Sequence, residues 1–343
     1  NYTKVMSSCD VLVRGNQGIF ILDGKNLDTS LKSYPVDKSN AWRCSATSSD
    51  GKYYAIADGT RVCVYDSNTF QLLYDIERCR VSNLLFSPKS NYLAIGETYG
   101  SYNGKPPEPN VHIYEANNGK NIVSYMEKRA VAWKPLWTAD EKLCARFINN
   151  DICFYENNDF SEPKARFHHH KVHEFSLCLS GPPYYLATYT QGAKGQPSFV
   201  RVYKYPQFDG LSVVASKSFF KADRILFQWN PKGSELTFIV STDVDKSGSS
   251  YYGEQFLYFV NSRWDASNLD LSKSGPIHNI AWNPNGKELC VVYGFTPAKA
   301  TLFNMKGEAL FDFGTGPRNV AYYNPFGNNI LLFFVVKSMI VSP

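Results

Sequence analysis

The chain has 343 residues, a formal net charge of +5 at pH 7 and an aromatic content of 15%. Helical periodicity is absent along it, so we expect a nearly all-β fold. The longest apolar run, residues 330–336, is shorter than the ~20 residues that a membrane-spanning helix needs. The N-terminal residues contain no apolar signal core. We therefore expect a soluble, cytoplasmic protein without a membrane partner.

The eight cysteines form no Cys-x-x-Cys pair, and several alternate with apolar residues inside predicted strands. A buried thiol in that setting behaves as a small apolar side chain. Cysteines without a disulfide or zinc pattern are typical of a reducing compartment. We therefore predict buried, reduced thiols.

The first predicted element is a hairpin formed by residues 11–14 and 18–22, with a turn at Gly15-Asn16-Gln17. It belongs to an incomplete sheet. After it, a tight turn rich in Pro, Gly, Asn and Ser recurs between apolar strands, and these residue types favour chain reversal. The turns lie at residues 48–51, 87–90, 133–135, 179–182, 229–233, 283–286 and 323–327.

A second motif follows each of the first six turns. It is an apolar–aromatic pair that we assign to the third strand of a sheet, at residues 64–66, 113–115, 154–156, 202–204, 257–259 and 302–304. A repeat of roughly 40–50 residues is typical of propeller blades. We therefore predict one β-propeller domain of four-stranded WD40-like blades over residues 1–343, with about seven blades represented in an incomplete ring. The alternative is a smaller ring that the C-terminal strands close by pairing with the N-terminal hairpin.

The predicted connections between blades are basic. Together they carry 14 Lys and Arg against five Asp and Glu, a charge of +9 where the whole chain has +5. Long insertions between second and third strands, at residues 98–110, 190–197 and 242–254, are expected on the same face of the blades. A basic face suits a phosphate backbone or an acidic partner. The alternative is that these loops simply carry solvated charges.

Two of these connections carry the strongest candidate contacts. Residues 217–224 interleave cations with adjacent aromatics, as nucleic-acid surfaces do, although one of the two phenylalanines is expected to face the core. Residues 314–319 form a glycine-rich turn that presents an arginine, whose planar fork can grip a phosphate. The candidate binding residues are Lys217, Phe219, Phe220, Lys221, Arg224, Arg318, Asn319, Lys128, Arg129 and Lys171.

Two patterns raise the question of metal binding. Residues 243–254 match the spacing of a calcium loop, with Asp243, Asp245, Ser247 and Glu254 as ligands, but strands flank the loop where helices are required. The histidines at 168–170 and 173 have no Cys or carboxylate to complete a zinc site. We therefore predict a long polar loop, a polar histidine segment, and no cofactor.

The chain lacks the motifs of common catalytic sites: there is no nucleophile elbow, P-loop, dinucleotide fingerprint or zinc protease helix. We therefore expect a protein that is not an enzyme and has no small-molecule substrate.

Several long irregular segments resemble eukaryotic translation initiation factor 2A. They are KSFFKAD at 217–223, STDVDK at 241–246, YYGEQ at 251–255, YGFTPAKAT at 293–301 and FDFGTGPRN at 311–319. The resemblance extends from about residue 11 to residue 329. It implies a nine-bladed WD-type propeller that associates with the small (40S) ribosomal subunit, through its RNA and proteins. It also implies GTP-independent delivery of initiator methionyl-tRNA, contacts with mRNA, and alternative, non-AUG initiation.

The last residues depart from the family pattern. Residues 330–343 replace the glycine-rich strand, the further blades and the charged tail that follow in the family, which puts tRNA delivery by this chain in doubt. The alternative function is a non-enzymatic propeller scaffold that assembles proteins and does not contact nucleic acid.

Overall fold

The computed structural model describes residues 10–15, 17–35, 44–101, 104, 106–128, 133–148, 151–168, 172–193, 195–220, 222–242 and 253–335. The chain divides into two compact units, residues 1–166 (unit 1) and 167–343 (unit 2). Within the described residues, no helix has the length and apolar character that crossing a bilayer would require.

Unit 1 contains a three-stranded sheet followed by four-stranded sheets, all antiparallel. The unit boundary falls inside the last strand. The strands are β1 (Val11–Gly15), β2 (Gly18–Asp23) and β3 (Asn26–Pro35); β4 (Cys44–Thr47), β5 (Tyr53–Ala57), β6 (Arg61–Asp66) and β7 (Leu72–Glu77); β8 (Val81–Phe86), β9 (Tyr92–Glu97), β10 (Val111–Glu115) and β11 (Asn121–Tyr125); β12 (Leu136–Trp137), β13 (Leu143–Ile148), β14 (Asp151–Glu156) and β15 (Ala165–His168).

Unit 2 repeats the arrangement with three four-stranded sheets and a final two-stranded sheet. The strands are β16 (Val172–Leu177), β17 (Tyr185–Thr190), β18 (Ser198–Lys204) and β19 (Val213–Phe219); β20 (Arg224–Trp229), β21 (Leu236–Ser241), β22 (Gln255–Val260) and β23 (Ala266–Asn268); β24 (Ile277–Trp282), β25 (Glu288–Tyr293), β26 (Ala298–Asn304) and β27 (Ala309–Gly316); β28 (Val320–Tyr323) and β29 (Ile330–Phe333).

The middle strands of each four-stranded sheet are buried on both faces. In β9 and β25, for example, five consecutive residues are buried, whereas the fourth strand β7 is mostly exposed. Continuous apolar runs of β-branched and aromatic residues are expected where a sheet is covered on both sides. All six predicted apolar–aromatic pairs lie in third strands (β6, β10, β14, β18, β22 and β26), which confirms that part of the repeat.

A common turn joins the first and second strands. Its fourth residue donates a backbone hydrogen bond to the carbonyl of the first and has a positive φ. These pairs are Ser48–Gly51, Ser87–Ser90, Thr138–Glu141, Asn230–Gly233, Asn283–Gly286 and Asn324–Gly327. The turn predicted at residues 133–135 is therefore wrong: those residues precede β12, and the reversal occurs at 138–141. Its left-handed residue is Glu141, not a glycine, so the usual turn signature is missing.

Neighbouring sheets share their cores within each unit. One cluster joins Val62 and Val64 of β6 to Leu93 and Ile95 of β9. Another joins Phe259 of β22 to several residues of β24 and β25. The described part of the chain is thus an all-β propeller fold of WD40-like blades, as predicted from the repeat.

Candidate functional site

The connection between β19 and β20 carries the most exposed aromatic of the candidate residues. Phe220 is 81% exposed, whereas the adjacent Phe219 is 6% exposed and packs 4.9 Å from the ring of Tyr258. Neighbouring residues of a strand point to opposite sides, and here that alternation separates a core ring from a solvent-facing ring. Phe220 is therefore the aromatic of this segment that is available to a partner.

Cations flank this ring on both sides along the chain. The ammonium group of Lys217 lies 5.6 Å from the centre of the Tyr258 ring, a cation–π contact, and the side chain is partly exposed. Arg224, the first residue of β20, is exposed. The connection thus combines two described cations with one exposed aromatic, a combination that suits both phosphate and base contacts.

Arg318 and Asn319 lie between β27 and β28, in the equivalent connection two sheets further along. The Arg318 N–H donates to the Gly316 carbonyl at 2.8 Å, and its guanidinium covers Gly316 so closely that a Cβ there would lie 2.6 Å from it. The Asn319 side chain donates to the Val335 carbonyl and accepts from the Val335 N–H, both at 2.8 Å. Asn319 therefore holds the chain that follows β29, a role that its sequence context did not reveal.

The remaining binding candidates are less informative. Lys128 is exposed just after β11. Arg129, Lys171 and Lys221 lie outside the described residues.

The predicted calcium loop also lies mostly outside the described residues, since Asp243, Asp245 and Ser247 fall there. Glu254 ends this loop, and its backbone pairs with Thr242: the Thr242 N–H donates to the Glu254 carbonyl at 3.0 Å. His168 and His173 are exposed. Across the described parts of the chain, no three His, Cys, Asp or Glu side chains are grouped as a metal site would require.

Unit 1 has a cavity of about 620 Å³ at the connection between β7 and β8, which sequence analysis did not identify. Charges of both signs line it: Arg61, Arg78 and Arg80 with Asp58, Asp75, Glu77, Glu97 and Glu108. The charge count over the predicted connections between blades included Arg78 and Arg80, which lie between β7 and β8. It missed Asp58 and Glu108, which lie in loops between second and third strands, and Glu97, which ends the second strand β9, because none of them lies in a connection between sheets.

Much of this charge is neutralised internally. Glu97 is buried and accepts hydrogen bonds from His112 at 3.0 Å, and Arg78 lies 3.7 Å away. Burial opposes its ionisation, but the His112 hydrogen bond and the charge of Arg78 hold the pKa of Glu97 below its usual value. On the other side of the ring, His112 contacts Ser124 at 2.8 Å. The arrangement ties the end of β9 to the third and fourth strands of its sheet.

Comparison with known proteins gives the same family as the motifs. Residues 217–334 match the family model for eukaryotic translation initiation factor eIF2A, a stretch that contains seven of the ten binding candidates. The chain is 38% identical over 309 residues to eukaryotic translation initiation factor 2A of Drosophila melanogaster, covering 87% of this chain and 48% of the relative. It is 34% identical over 328 residues to the Caenorhabditis elegans protein of that name, covering 93% and 57%.

A solved structure described as a crystal structure of the eukaryotic initiation factor superposes with a TM-score of 0.82 at 28% identity. It covers 95% of this chain and 78% of the solved one. The chain spans about half the length of the curated relatives it matches. The resemblance to the eukaryotic translation initiation factor 2A family is therefore confirmed, and the chain is a relative of those initiation factors along most of its own length.

Proposed function

We propose that this chain is the ribosome-binding propeller region of a translation initiation factor, acting on the small (40S) subunit in the cytoplasm. In the full-length protein, this region supports GTP-independent delivery of initiator methionyl-tRNA and alternative, non-AUG initiation. The observation that carries the proposal is the solvent-facing ring of Phe220 between Lys217 and Arg224, inside the stretch that matches the family model.

The proposed contact is with ribosomal RNA. An exposed ring stacks on an unpaired base, and base–aromatic stacking contributes about 1–3 kcal/mol per base. The two cations neutralise phosphates and release counterions, which makes binding sensitive to salt. Arg318 adds a cation at the equivalent connection between β27 and β28.

The test is binding of purified 40S subunits, measured by co-sedimentation at several salt concentrations. Combining Lys217→Ala, Phe220→Ala and Arg224→Ala should weaken binding at least about tenfold, since one stacked base is lost. The salt slope should fall by about 1.4, since two phosphate contacts at about 0.7 each are lost.

The matched control combines Lys287→Ala with Phe326→Ala, which removes a cation and a 77%-exposed aromatic from the first-to-second-strand turns. It should bind as the unmodified chain does. Equal weakening by both sets of substitutions, or binding that ignores salt, would reject the RNA contact.

The alternative is a scaffold that assembles proteins without touching nucleic acid. The cavity beside β7 and β8 favours it, because its five carboxylates outnumber its three arginines and would repel phosphates. Ultraviolet crosslinking to RNA in cells separates the two functions, since a pure protein scaffold should give no crosslinked RNA.

A further inference from the structure

The outer edge of β22 is incompletely paired. β23 has three residues and pairs only with Tyr258–Val260, and beyond it the Leu269 N–H donates to the Leu257 carbonyl at 2.8 Å. The Glu254 carbonyl accepts from the N–H of Thr242, the residue after β21. Because backbone N–H and carbonyl groups alternate in direction along a strand, those of Gln255 and Leu257 point away from β21. No described residue makes a backbone hydrogen bond to the Gln255 N–H, the Gln255 carbonyl or the Leu257 N–H.

The segment that could have covered this edge is held by the next sheet. The Ser272 hydroxyl lies 3.1 Å from the Tyr293 hydroxyl and accepts from the Lys299 ammonium at 2.8 Å. Further along, the Phe295 N–H donates to the Ser274 carbonyl at 3.2 Å, and the Gly294 N–H to the Pro276 carbonyl at 2.9 Å. Residues 272–276 would lose these bonds if they moved onto β22, so these residues leave the edge uncovered.

A cavity of about 580 Å³ separates the open edge from that segment. This volume lies within the range of about 300–1,000 Å³ typical of ligand sites. Its apolar lining includes Phe256, Leu271, Pro276 and Phe295. Unpaired strand edges beside apolar pockets are the usual receptors for extended peptides.

The charge of the cleft selects among such peptides. Glu254 and Asp270 are exposed in its lining and make no ion pair with any described residue. The ammonium of Lys273, the cation of the lining, donates to the Pro297 carbonyl at 2.5 Å. The carboxylates therefore favour a basic ligand and disfavour a phosphate backbone.

We propose that this cleft binds a short, extended, basic segment of a partner protein, which adds a strand to β22. The segment accepts a hydrogen bond from the Gln255 N–H and donates one to the Gln255 carbonyl, beyond the point where Leu269 pairs with Leu257. Alternate side chains of an extended peptide point to opposite sides. One set enters the apolar cleft, and lysines or arginines of the other set lie near Glu254 and Asp270. This surface uses different residues from the RNA contact proposed above, although Arg224 pairs with Ser241, the β21 partner of Gln255.

The experiment titrates the full chain into a fluorescein-labelled peptide of alternating valine and lysine and follows fluorescence anisotropy. Saturable binding is expected. Methylating alternate backbone nitrogens of the peptide should weaken binding by about fivefold, because the hydrogen bond of about 1 kcal/mol that the segment donates to the Gln255 carbonyl is lost. Hydrogen exchange should show new protection at Gln255.

The protein variant for this test combines Glu254→Gln with Asp270→Asn, which should weaken binding about fivefold at low salt, since each exposed pair contributes up to about 1 kcal/mol. The control is Glu162→Gln, an exposed carboxylate in unit 1 that should have no effect. The proposal is overturned if the methylated peptide binds equally well, if the double variant matches its control, or if no saturable binding occurs.

Discussion

The two units join the turns of successive sheets in different ways. In unit 1, the left-handed residues of the turns at 87–90 and 138–141 carry side chains that reach back to the preceding turn, whereas the first turn has Gly51 at this position. Ser90 accepts from the Asp50 N–H at 3.3 Å, and Glu141 accepts from the Lys89 N–H at 2.6 Å and from the Asn91 amide at 2.8 Å. In unit 2 the same position is glycine.

There the preceding turn reaches forward instead. The Asn283 amide donates to the Gly327 carbonyl at 2.8 Å, and the Cys178 thiol to the Gly233 carbonyl at 3.6 Å. A Cβ on either glycine would collide with those side chains. The comparison shows that one turn conformation allows two kinds of hydrogen-bonded connection between successive turns, which we call joints. One accepts the strain of a side chain at positive φ in return for hydrogen bonds, and the other avoids the strain and receives a hydrogen bond at the glycine carbonyl.

The largest expected effect comes from adding a methyl group to a unit 2 joint. Gly233→Ala introduces both left-handed strain and the collision with Cys178 and Ser180, whereas Gly51→Ala, at nearly the same φ, has nothing within 4 Å. Gly233→Ala should therefore cost about 2 kcal/mol more than its control, the usual penalty for overpacking. Native-state hydrogen exchange, measured on peptides from each unit, gives both values. Equal costs would show that the glycine is needed for its φ alone.

The unit 1 joint is tested at Glu141. Glu141→Ala keeps the strain at φ 55° and removes the hydrogen bonds to Lys89 and Asn91. Loss of charge-assisted bonds should cost about 2 kcal/mol. Glu141→Gly loses the same bonds but relieves the strain, so it should be about 1 kcal/mol more stable than the alanine variant. Both variants retain the bond from Asn158 to the backbone carbonyl of residue 141. If the alanine variant is as stable as the original chain, the carboxylate does not hold the joint.

Acid should weaken unit 1 before unit 2. Burial raises the pKa of Asp50, but hydrogen bonds from Ser48 and the Lys52 N–H lower it to about 2, and the pKa values of Asp58 and Glu97 are also lowered. A carboxyl whose pKa is lower in the folded than in the unfolded protein stabilises the fold at pH values above its unfolded-state pKa of about 4. This stability is lost as the pH falls towards 2. Among the described residues of unit 2, the carboxyl whose pKa is lowered is that of Asp312, and this side chain is exposed.

Pepsin, which is active in acid, provides the measurement. Between pH 4 and pH 2, cleavage in the β4–β11 region should increase more than cleavage in β16–β27. Cleavage that rises equally in both units would contradict a special role for these carboxylates.

Much of the fold was predictable because its signals are local. The apolar–aromatic pairs identified the third strand of each four-stranded sheet. Turns rich in Asn, Pro and Gly located most of the hairpins between first and second strands. The hairpin at 138–141 was missed because its left-handed residue is Glu141. That conformation is supported by partners at Lys89 and Asn91, about fifty residues earlier, which no local pattern contains.

The candidate site was less predictable. Alternation indicated that one of Phe219 and Phe220 is buried, but only the packing of Phe219 against Tyr258 decided which. Asn319 was selected as a binding residue, and the structure shows its amide occupied by Val335. The open edge of β22 had no sequence signal either, since it depends on bonds between residues 272–276 and the neighbouring sheet.

The sequence by itself determined that this protein is built from a repeated antiparallel sheet unit and that its loop motifs resemble eukaryotic translation initiation factor 2A. Strand alternation, turn chemistry and irregular loop motifs are each written in short stretches of chain. Only the tertiary structure decided how the turns are joined, which ring is exposed at the β19–β20 connection, and where a strand edge stays unpaired. Those outcomes depend on contacts between sheets some forty or fifty residues apart, where packing and hydrogen bonding select among side chains that look equivalent along the sequence.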